Sequence, residues 1–365
     1  MRDKTKFIFI LGTRPEVIKS FSLIKELQLR GKEVYVFNTG QQSLLTKDFL
    51  DKFKVRISRD FVLGDNRSLN NDLSSVISNL HAELSNYSAT NTVIFVQGDT
   101  TTALGGALVG FNLRIPVFHI EAGLRTWDID KPYPEEMYRR LITQLSSHHF
   151  APTKIAKNNL LKSGVKLRDI TVCGNTGIDA LAITLEATAE QKQESNQNVL
   201  ITLHRRENFG ETIRDITLMI SELTNDFPDV KFHFMRHTNP AVVNSYHPEF
   251  IKNSRIKKYE PQDYQTMIKL LKRADLVITD SGGIQEESAY LGIPLIVARA
   301  STERDEVLTL NCVMCSTESK LIKKEVIDIL KDKSVQQRFM KSSLVYGDGK
   351  SAVRIAKKLE SLGLI

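Results

Sequence analysis

Short apolar runs alternate with helical patterns through the first half of the chain. An apolar run from Lys6 to Gly12 precedes apolar residues at helical spacing over 18–27, and a second run follows at 34–37. The same order recurs at 92–96, 103–111 and 117–120. Strands that alternate with helices predict a parallel sheet covered by helices on both faces.

The second half repeats this organisation after a polar stretch, rich in Gln and Glu, from Glu186 to Asn198. We predict that this stretch is a helix end and a linker, and that strands follow at 199–203, 231–235, 256–259, 276–279 and 295–297. A chain of 365 residues exceeds the usual size of one domain. The pattern therefore predicts two open α/β sheets whose functional loops follow the carboxyl ends of the strands and share a cleft.

Charge and composition narrow the class of ligand. The net charge is +7, but Lys and Arg are spread along the chain without a basic block or an aromatic platform. Nucleic acid is therefore not an expected partner, and a smaller anion such as a nucleotide diphosphate fits better. No apolar stretch reaches the roughly 18 residues that cross a bilayer, so a membrane is not expected either.

The three cysteines, Cys173, Cys312 and Cys315, are too few for a disulfide framework. This agrees with a reducing compartment, and we predict a cytoplasmic protein. Cys312 and Cys315 have CxxC spacing, but the sequence offers no second ligand pair, so we predict packing roles and no metal site.

The first predicted strand ends in the sequence GTRPE at 12–16. Pro15 suits the first turn of a helix, which places Arg14 at a helix N-terminus, where backbone amides and the helix dipole attract anions. Lys19 lies one turn further on. These two cations could bind a diphosphate, although an exposed arginine beside a helix cap is an equally good interpretation.

The sequence DSGG at 280–283 follows another predicted strand and precedes a helical pattern. The small residues Ser281, Gly282 and Gly283 let the backbone approach a pyrophosphate closely. Glu287, one turn into the helix, could accept both ribose hydroxyls. A Ser-Gly-Gly sequence alone is often an ordinary turn, but the order of strand, glycine pair and acidic helix favours a nucleotide site.

Carboxylates follow two neighbouring strands in the sequence. Asp99 comes after the first, Glu121 after the second, and Glu135 and Glu136 stand at a predicted helix start. If they converge at one sheet edge with Arg125 nearby, they would shift one another's pKa values as general acid–base pairs do. Alternatively, Asp99 caps a helix and the two glutamates favour a helix N-terminus.

Histidines at two places in the sequence need an interpretation, namely His204 and the adjacent pair His148 and His149. His204 stands at the end of the first predicted strand of the second domain and is followed by two arginines. We therefore interpret it as a phosphate or leaving-group contact. His148 and His149 are adjacent and point to opposite sides of any strand, so we interpret them as packing residues.

Eight longer sequence blocks occur in order along the chain. They are GTRPEVIK at 12–19, QGDTTT at 97–102, HIEAGLRT at 119–126, PEE at 134–136, HFAPT at 149–153, GNTGIDAL at 174–181, HRREN at 204–208 and SGGIQEE at 281–287. Together they closely resemble the non-hydrolysing UDP-N-acetylglucosamine 2-epimerase family, over about residues 6 to 310.

The resemblance implies a fold of two Rossmann-like domains with a central cleft, as in glycosyltransferase-B enzymes. Residues 1–175, joined by a C-terminal helix at 351–365, would form the first domain, and residues 176–350 the UDP-binding second domain. It implies interconversion of UDP-GlcNAc and UDP-ManNAc through anti elimination of UDP to 2-acetamidoglucal and re-addition, for cell-surface polysaccharide precursors. It also implies a homodimer and no cofactor, and the sequence has no GxGxxG fingerprint.

The resemblance also implies roles for individual residues. Catalysis would fall to Asp99, Glu121, Glu135 and His204. Substrate binding would fall to Arg14, Lys19, Gln262, Ser281, Gly282, Gly283, Glu287 and Arg304. A second UDP-GlcNAc, which activates many bacterial members, would contact Gln41, Arg67, Arg205 and His237.

The chain departs from the family pattern at a few positions. Gln42 replaces a usual histidine, Leu44 a glutamine, Tyr138 an asparagine and Asp305 a proline. These changes bear on substrate identity and activation. Four alternatives therefore stay open: an epimerase of another UDP-2-acetamido sugar (2,3-diacetamido or 6-deoxy), a hydrolase that releases ManNAc, a UDP-sugar glycosyltransferase, and a non-catalytic sensor.

Overall fold

The computed structural model describes residues 4–42, 50, 53–187, 197–205, 208–237, 239–300 and 302–365. These residues form two compact units, one of Met1–Ala182 with Tyr346–Ile365 and the other of Ile183–Val345. The predicted linker at 186–198 lies mostly outside the described residues, as do Leu44, Arg206 and Glu207.

The first unit is built on a seven-stranded parallel sheet in the order β3-β2-β1-β4-β5-β6-β7. The strands are β1 (Lys6–Leu11), β2 (Glu33–Asn38), β3 (Arg59–Asp60), β4 (Thr92–Gln97), β5 (Val117–Ile120), β6 (His148–Ala151) and β7 (Ile170–Val172). The helices are α1 (Arg14–Leu29), α2 (Leu69–Leu84), α3 (Thr101–Asn112), α4 (Glu135–Leu145), α5 (Lys154–Lys162) and α6 (Thr176–Ala187).

The second unit contains a six-stranded parallel sheet in the order β10-β9-β8-β11-β12-β13. Its strands are β8 (Asn198–Thr202), β9 (Lys231–Met235), β10 (Ile256–Tyr259), β11 (Leu276–Thr279), β12 (Leu295–Val297) and β13 (Cys312–Cys315). The helices are α7 (Glu211–Asp226), α8 (Pro240–Val243), α9 (Pro248–Lys252), α10 (Tyr264–Arg273), α11 (Gly282–Leu291), α12 (Ser319–Lys331) and α13 (Lys333–Phe339).

Central strands bury both faces, which explains why the apolar runs predicted them. All residues of β4 and β8 are buried, as expected for strands covered by helices on two sides. The sequence did not indicate β6, whose sequence HHFA hides a fully buried strand. His148 and His149 lie in this strand, and burial lowers the pKa of their side chains to about 4 and about 3, so they serve as neutral packing residues.

Both sheets have the strand order of a Rossmann fold. The chain reverses its direction across the sheet between β1 and β4 in the first unit, and between β8 and β11 in the second. In open α/β sheets the ligand-binding loops follow the carboxyl ends of the strands at such switch points. The loops at 12–14, 98–100, 203–205 and 280–282 all follow these strands.

The C-terminal segment returns to the first unit as α14 (Ser351–Ser361). Asp179 of α6 accepts hydrogen bonds from Ser351 N at 3.0 Å and Ala352 N at 2.7 Å, which caps this helix. The unit boundaries lie at 182 and 346 rather than at the predicted 175 and 351 because α6 begins inside the first unit, and Asn175 N already donates to Tyr346 O. Among the described helices, none is long and apolar enough to span a membrane.

Candidate active site

Glu121 follows β5 and is held by side chains from three other segments. Lys19 of α1 forms an ion pair with Glu121 Oε1, and Asn175 Nδ2 donates to the same oxygen at 3.0 Å. Gln97 Nε2 donates to Glu121 Oε2. The backbone φ of Glu121, 63°, lies in the left-handed region, which is uncommon for a residue with a side chain. Glu121 is therefore fixed as a carboxylate at the carboxyl edge of the sheet.

Asp99 follows β4 and pairs with an arginine of α4. Arg139 Nε and Nη2 both lie 2.7 Å from Asp99 Oδ2, and Arg139 Nη1 lies 3.2 Å from the inaccessible Glu136. Asp99 does not cap the following helix, because that role belongs to Thr100, whose Oγ1 accepts from Ala103 N at 3.0 Å. Asp99 and Glu121 thus follow neighbouring strands, as predicted.

Arg125 lies near enough to Glu136 for that carboxylate to act on it electrostatically, but its hydrogen bonds go to other groups. It is buried and donates to Leu124 O at 2.8 Å and to Thr143 Oγ1 at 2.7 Å. Burial lowers the pKa of its guanidinium to about 10. Arg139 is the cation that pairs with Asp99 and Glu136, and its spacing of three residues from Glu136, about one helical turn, was the signal that could have found it.

The remaining residues of this segment also have defined places. Glu135 begins α4 as predicted. Tyr138, which replaces the family's asparagine, packs against the hydrophobic core of the first unit. Trp127 is half-exposed, and the Arg140 guanidinium lies 5.8 Å from its ring centroid. Tyr138 therefore has a packing role in this chain.

Glu16 organises the loop after β1. Its Oε2 accepts from Gly12 N at 2.8 Å and from Thr13 N at 2.6 Å, and its Oε1 accepts from Thr100 Oγ1. The carboxyl group of Glu16, three residues after the helix cap, thus reaches back and occupies the amides of Gly12 and Thr13. The cations predicted at this loop are in place: Arg14 begins α1, and Lys19 lies one turn later.

Glu16 is expected to make the stability of the protein depend on pH. Burial raises the pKa of its carboxyl from 4.5 to about 7. The folded chain therefore keeps a proton that the unfolded chain releases between these pH values. The stability from this group is complete below about pH 4.5 and is lost as the pH rises through about 7, by about 3 kcal/mol in total.

The Glu16→Gln variant cannot ionise at this position and should show a flatter fall in unfolding free energy between about pH 5 and 8. Urea titrations of the wild-type protein and the variant across this range measure the difference. Parallel pH profiles for the two proteins would contradict the assignment.

The glycine loop of the second unit packs against the guanidinium of Arg304. Ser281 occupies the N-cap position of α11, which begins at Gly282, without a side-chain capping hydrogen bond. A Cβ atom added to Gly282 would lie 2.3 Å from Arg304 Cζ. Arg304 Nε donates to Glu286 Oε1 at 2.9 Å, and Glu303 accepts from Arg304 Nη1. The structure therefore brings Arg304 to the helix N-terminus, where its guanidinium adds positive charge to the positive end of the helix dipole.

This close approach predicts opposite effects for two adjacent glycines. Gly282→Ala requires the buried Arg304 guanidinium to move and should lower the free energy of unfolding by about 1–3 kcal/mol. A Cβ atom at Gly283 meets nothing within 4 Å, so Gly283→Ala should be neutral or stabilising by up to about 1 kcal/mol. Chemical denaturation compares the two variants, and equal losses would show that the arginine contact is not the cause.

Asp280 joins the two loops at the switch point of the second unit. Both of its oxygens lie 2.9 Å from His204 N, and Oδ2 also accepts from Arg205 N and Asn208 Nδ2 at 2.9 Å. The His204 ring reaches solvent, yet nearby protein reduces its hydration and lowers its pKa, while the Asp280 carboxylate opposes this shift. The His237 ring, 5.6 Å away, lowers the pKa of His204 further.

The other predicted binding residues divide between the two units. Glu287 is buried on α11 and accepts from Tyr264 Oη at 2.9 Å. Gln262 Nε2 donates to Glu260 O at 2.7 Å in the same unit. In the first unit, Arg67 Nη2 donates to Gln41 O at 3.2 Å.

The sequence predicts packing roles for the cysteines of the CxxC pair and no metal site. Cys312 is buried in β13, in agreement with a packing role. Across the described ranges, no group of three or more His, Cys, Asp or Glu side chains is arranged to hold a metal ion.

Comparison with known sequences identifies relatives along nearly the whole chain. Residues 25–360 match the family model described as UDP-N-acetylglucosamine 2-epimerase. The UDP-N-acetylglucosamine 2-epimerase of Neisseria meningitidis serogroup A is 35% identical, over 97% of this chain and 99% of its own. That of Bacillus subtilis is 34% identical, over 98% of this chain and 95% of its own.

Solved structures agree with this relationship. The crystal structure of UDP-GlcNAc 2-epimerase from Neisseria meningitidis bound to UDP-GlcNAc has a TM-score of 0.94 and 34% identity, covering 98% of this chain and 100% of that chain. The Methanocaldococcus jannaschii UDP-GlcNAc 2-epimerase in complex with UDP-GlcNAc and UDP has a TM-score of 0.85 and 32% identity, covering 98% and 100%. The predicted pair of Rossmann-like domains of the glycosyltransferase-B type is confirmed. The chain is an isomerase and belongs to the UDP-N-acetylglucosamine 2-epimerase family.

Proposed function

We propose that this protein interconverts UDP-GlcNAc and UDP-ManNAc in the cytoplasm and so supplies a precursor for cell-surface polysaccharide. The observation that carries the proposal is the set of carboxylates, Asp99, Glu121 and Glu135, on adjoining segments of the first unit. The second unit supplies a glycine loop and Arg304 suited to a diphosphate. The N. meningitidis and M. jannaschii relatives bind UDP-GlcNAc in their crystal structures.

The proton on sugar carbon 2 is only weakly acidic, because no carbonyl group is adjacent to that carbon. Departure of UDP from carbon 1 therefore runs ahead of proton removal and gives oxocarbenium character, which carboxylates stabilise. Loss of the carbon-2 proton then yields 2-acetamidoglucal. Protonation on the opposite face and re-addition of UDP complete the epimerisation.

The surroundings of the carboxylates suggest different roles. Glu121 accepts from three donors and its side chain is 7% exposed, so it suits stabilisation of positive charge on the sugar. The Asp99 side chain is 26% exposed, which makes it the more accessible candidate for proton transfer, with Glu135 as the second group. Two transfers on opposite faces require two differently placed groups.

Binding of the nucleotide diphosphate is assigned to cations and small residues. We assign the diphosphate to Arg14, Lys19, His204 and Arg304. We assign phosphate and ribose to Ser281, Gly282, Gly283 and Glu287, and place Gln262 near the nucleotide. Lys19 also pairs with Glu121, so one cation would link the leaving group to the stabilising carboxylate. No cofactor takes part in this scheme.

Chromatography of a reaction with UDP-GlcNAc alone tests the proposed function. The expected products are UDP-ManNAc and UDP-GlcNAc at a constant ratio. Accumulation of UDP and free ManNAc would indicate hydrolysis instead. No conversion of UDP-GlcNAc, but conversion of a UDP-2,3-diacetamido or 6-deoxy sugar, would assign the protein a different substrate.

We also propose that a second UDP-GlcNAc molecule activates the protein and that the protein is a homodimer. The activator contacts would come from Gln41 and Arg67 in the first unit and from Arg205 and His237 in the second. If the activator site fills over the same concentration range as the active site, rates should rise sigmoidally with UDP-GlcNAc concentration. Light scattering gives the oligomeric state.

A further inference from the structure

Glu16 connects two loops that carry proposed active-site residues. Its carboxyl is inaccessible to solvent and accepts from the amides of Gly12 and Thr13, directly before Arg14. Its other oxygen accepts from the hydroxyl of Thr100, the residue after Asp99. One buried carboxyl therefore spans the switch point between β1 and β4.

The Thr100 side chain transmits this connection to a helix. Its Oγ1 donates to Glu16 and also accepts from Ala103 N at 3.0 Å, which caps α3. Close packing next to this bond limits movement of the loop, since a Cβ atom on Gly12 would lie 2.2 Å from the hydroxyl oxygens of Thr39 and Thr102. The turn with Asp99 and the loop with Arg14 are thus joined through one hydrogen-bonded bridge.

We propose that Glu16 is a positioning residue for the epimerisation, which holds the Arg14 loop and the Asp99 turn at a fixed separation. The inference rests on the proposed function. Cleavage of the bond to UDP and transfer of the carbon-2 proton occur on adjacent atoms of one sugar, so the groups that serve them must keep their relative positions. A displacement of about 1 Å in such a site can cost about 100-fold in rate.

Variants on both sides of the bridge test the proposal. Glu16→Ala and Thr100→Val should each lower kcat by about 100-fold with a much smaller change in KM, because alignment for reaction is lost. Combining them should cost little more than either alone, since both break the same link. Thr100→Ser keeps the hydroxyl, and Glu16→Gln keeps one acceptor oxygen for the amides of Gly12 and Thr13 and gains an NH2 group that can donate to Thr100 Oγ1. Both variants should recover kcat to within about fivefold of wild type.

Thermal melting of each variant separates misfolding from misalignment. A wild-type kcat in folded Glu16→Ala or Thr100→Val would overturn the proposal, as would losses that multiply in the double variant. If Glu16→Ala does not fold, the contrast between Thr100→Val and Thr100→Ser decides the matter alone. A wild-type protein that does not convert UDP-GlcNAc overturns the proposed function and this inference with it, whereas an active wild type with unaffected variants overturns the inference only.

Discussion

Glu121→Gln is expected to slow the interconversion of UDP-GlcNAc and UDP-ManNAc by about 1,000-fold. The change removes the negative charge that would stabilise the oxocarbenium-like sugar, and one such electrostatic contact contributes about 10²–10³ in rate. Lys19 and Asn175 would then face an uncharged amide instead of a carboxylate. Initial rates followed by chromatography measure the loss.

The matched control is Glu26→Gln, which removes the same charge from a partly buried ion pair with Arg30 at the C-terminal end of α1. We expect wild-type rates for this variant, because an ion pair between residues four apart contributes little to stability and this one contacts none of the proposed catalytic residues. Glu121→Gln should still bind UDP in calorimetry. An active Glu121→Gln enzyme would contradict the assigned role of this carboxylate.

Arg139→Ala is expected to lower the free energy of unfolding by about 3–5 kcal/mol and to reduce activity as well. The Arg139 side chain is 4% exposed and pairs with Asp99 and with Glu136, which is inaccessible. Without Arg139, Asp99 loses this cationic partner and the inaccessible Glu136 keeps only the partly exposed Arg140. Denaturant titration measures the stability, and the rate per folded molecule measures the effect on Asp99.

Arg140→Ala is the control on the same helix. Arg140 also pairs with Glu136, but its side chain is 34% exposed, and Arg139 remains in place. The expected loss is below about 1 kcal/mol. Similar losses for the two variants would show that burial of Arg139 is not the deciding factor.

The sequence predicted most of the fold because the central strands are nearly continuous apolar runs. The strands at 231–235, 256–259, 276–279 and 295–297 match β9, β10, β11 and β12 residue for residue. The pattern missed four strands: β3 has two residues, β7 has three, β6 contains two histidines, and β13 has the short sequence CVMC. Their pairing depends on neighbouring strands, which local periodicity does not report.

The candidate site was only partly predictable. Asp99 and Glu121 were found because they follow apolar strands. Their partners were harder to find: Asn175 lies 54 residues from Glu121 in sequence, and Arg139 lies 40 from Asp99. In the sequence, Glu16 stood out only as part of the GTRPE block. Its contact with Thr100, 84 residues away, is a tertiary interaction. The sequence shows which residues lie at the carboxyl edge of the sheet. Which side chains they pair with depends on the packing between helices and strands, which the sequence pattern does not report.

Proton NMR of the purified protein with UDP-GlcNAc alone in deuterated water tests the central claim most directly. The proposed chemistry predicts UDP-ManNAc with deuterium at sugar carbon 2, because that carbon–hydrogen bond breaks and re-forms with solvent. UDP-ManNAc that retains its original hydrogen, or a solution that contains only UDP and free ManNAc, would contradict it.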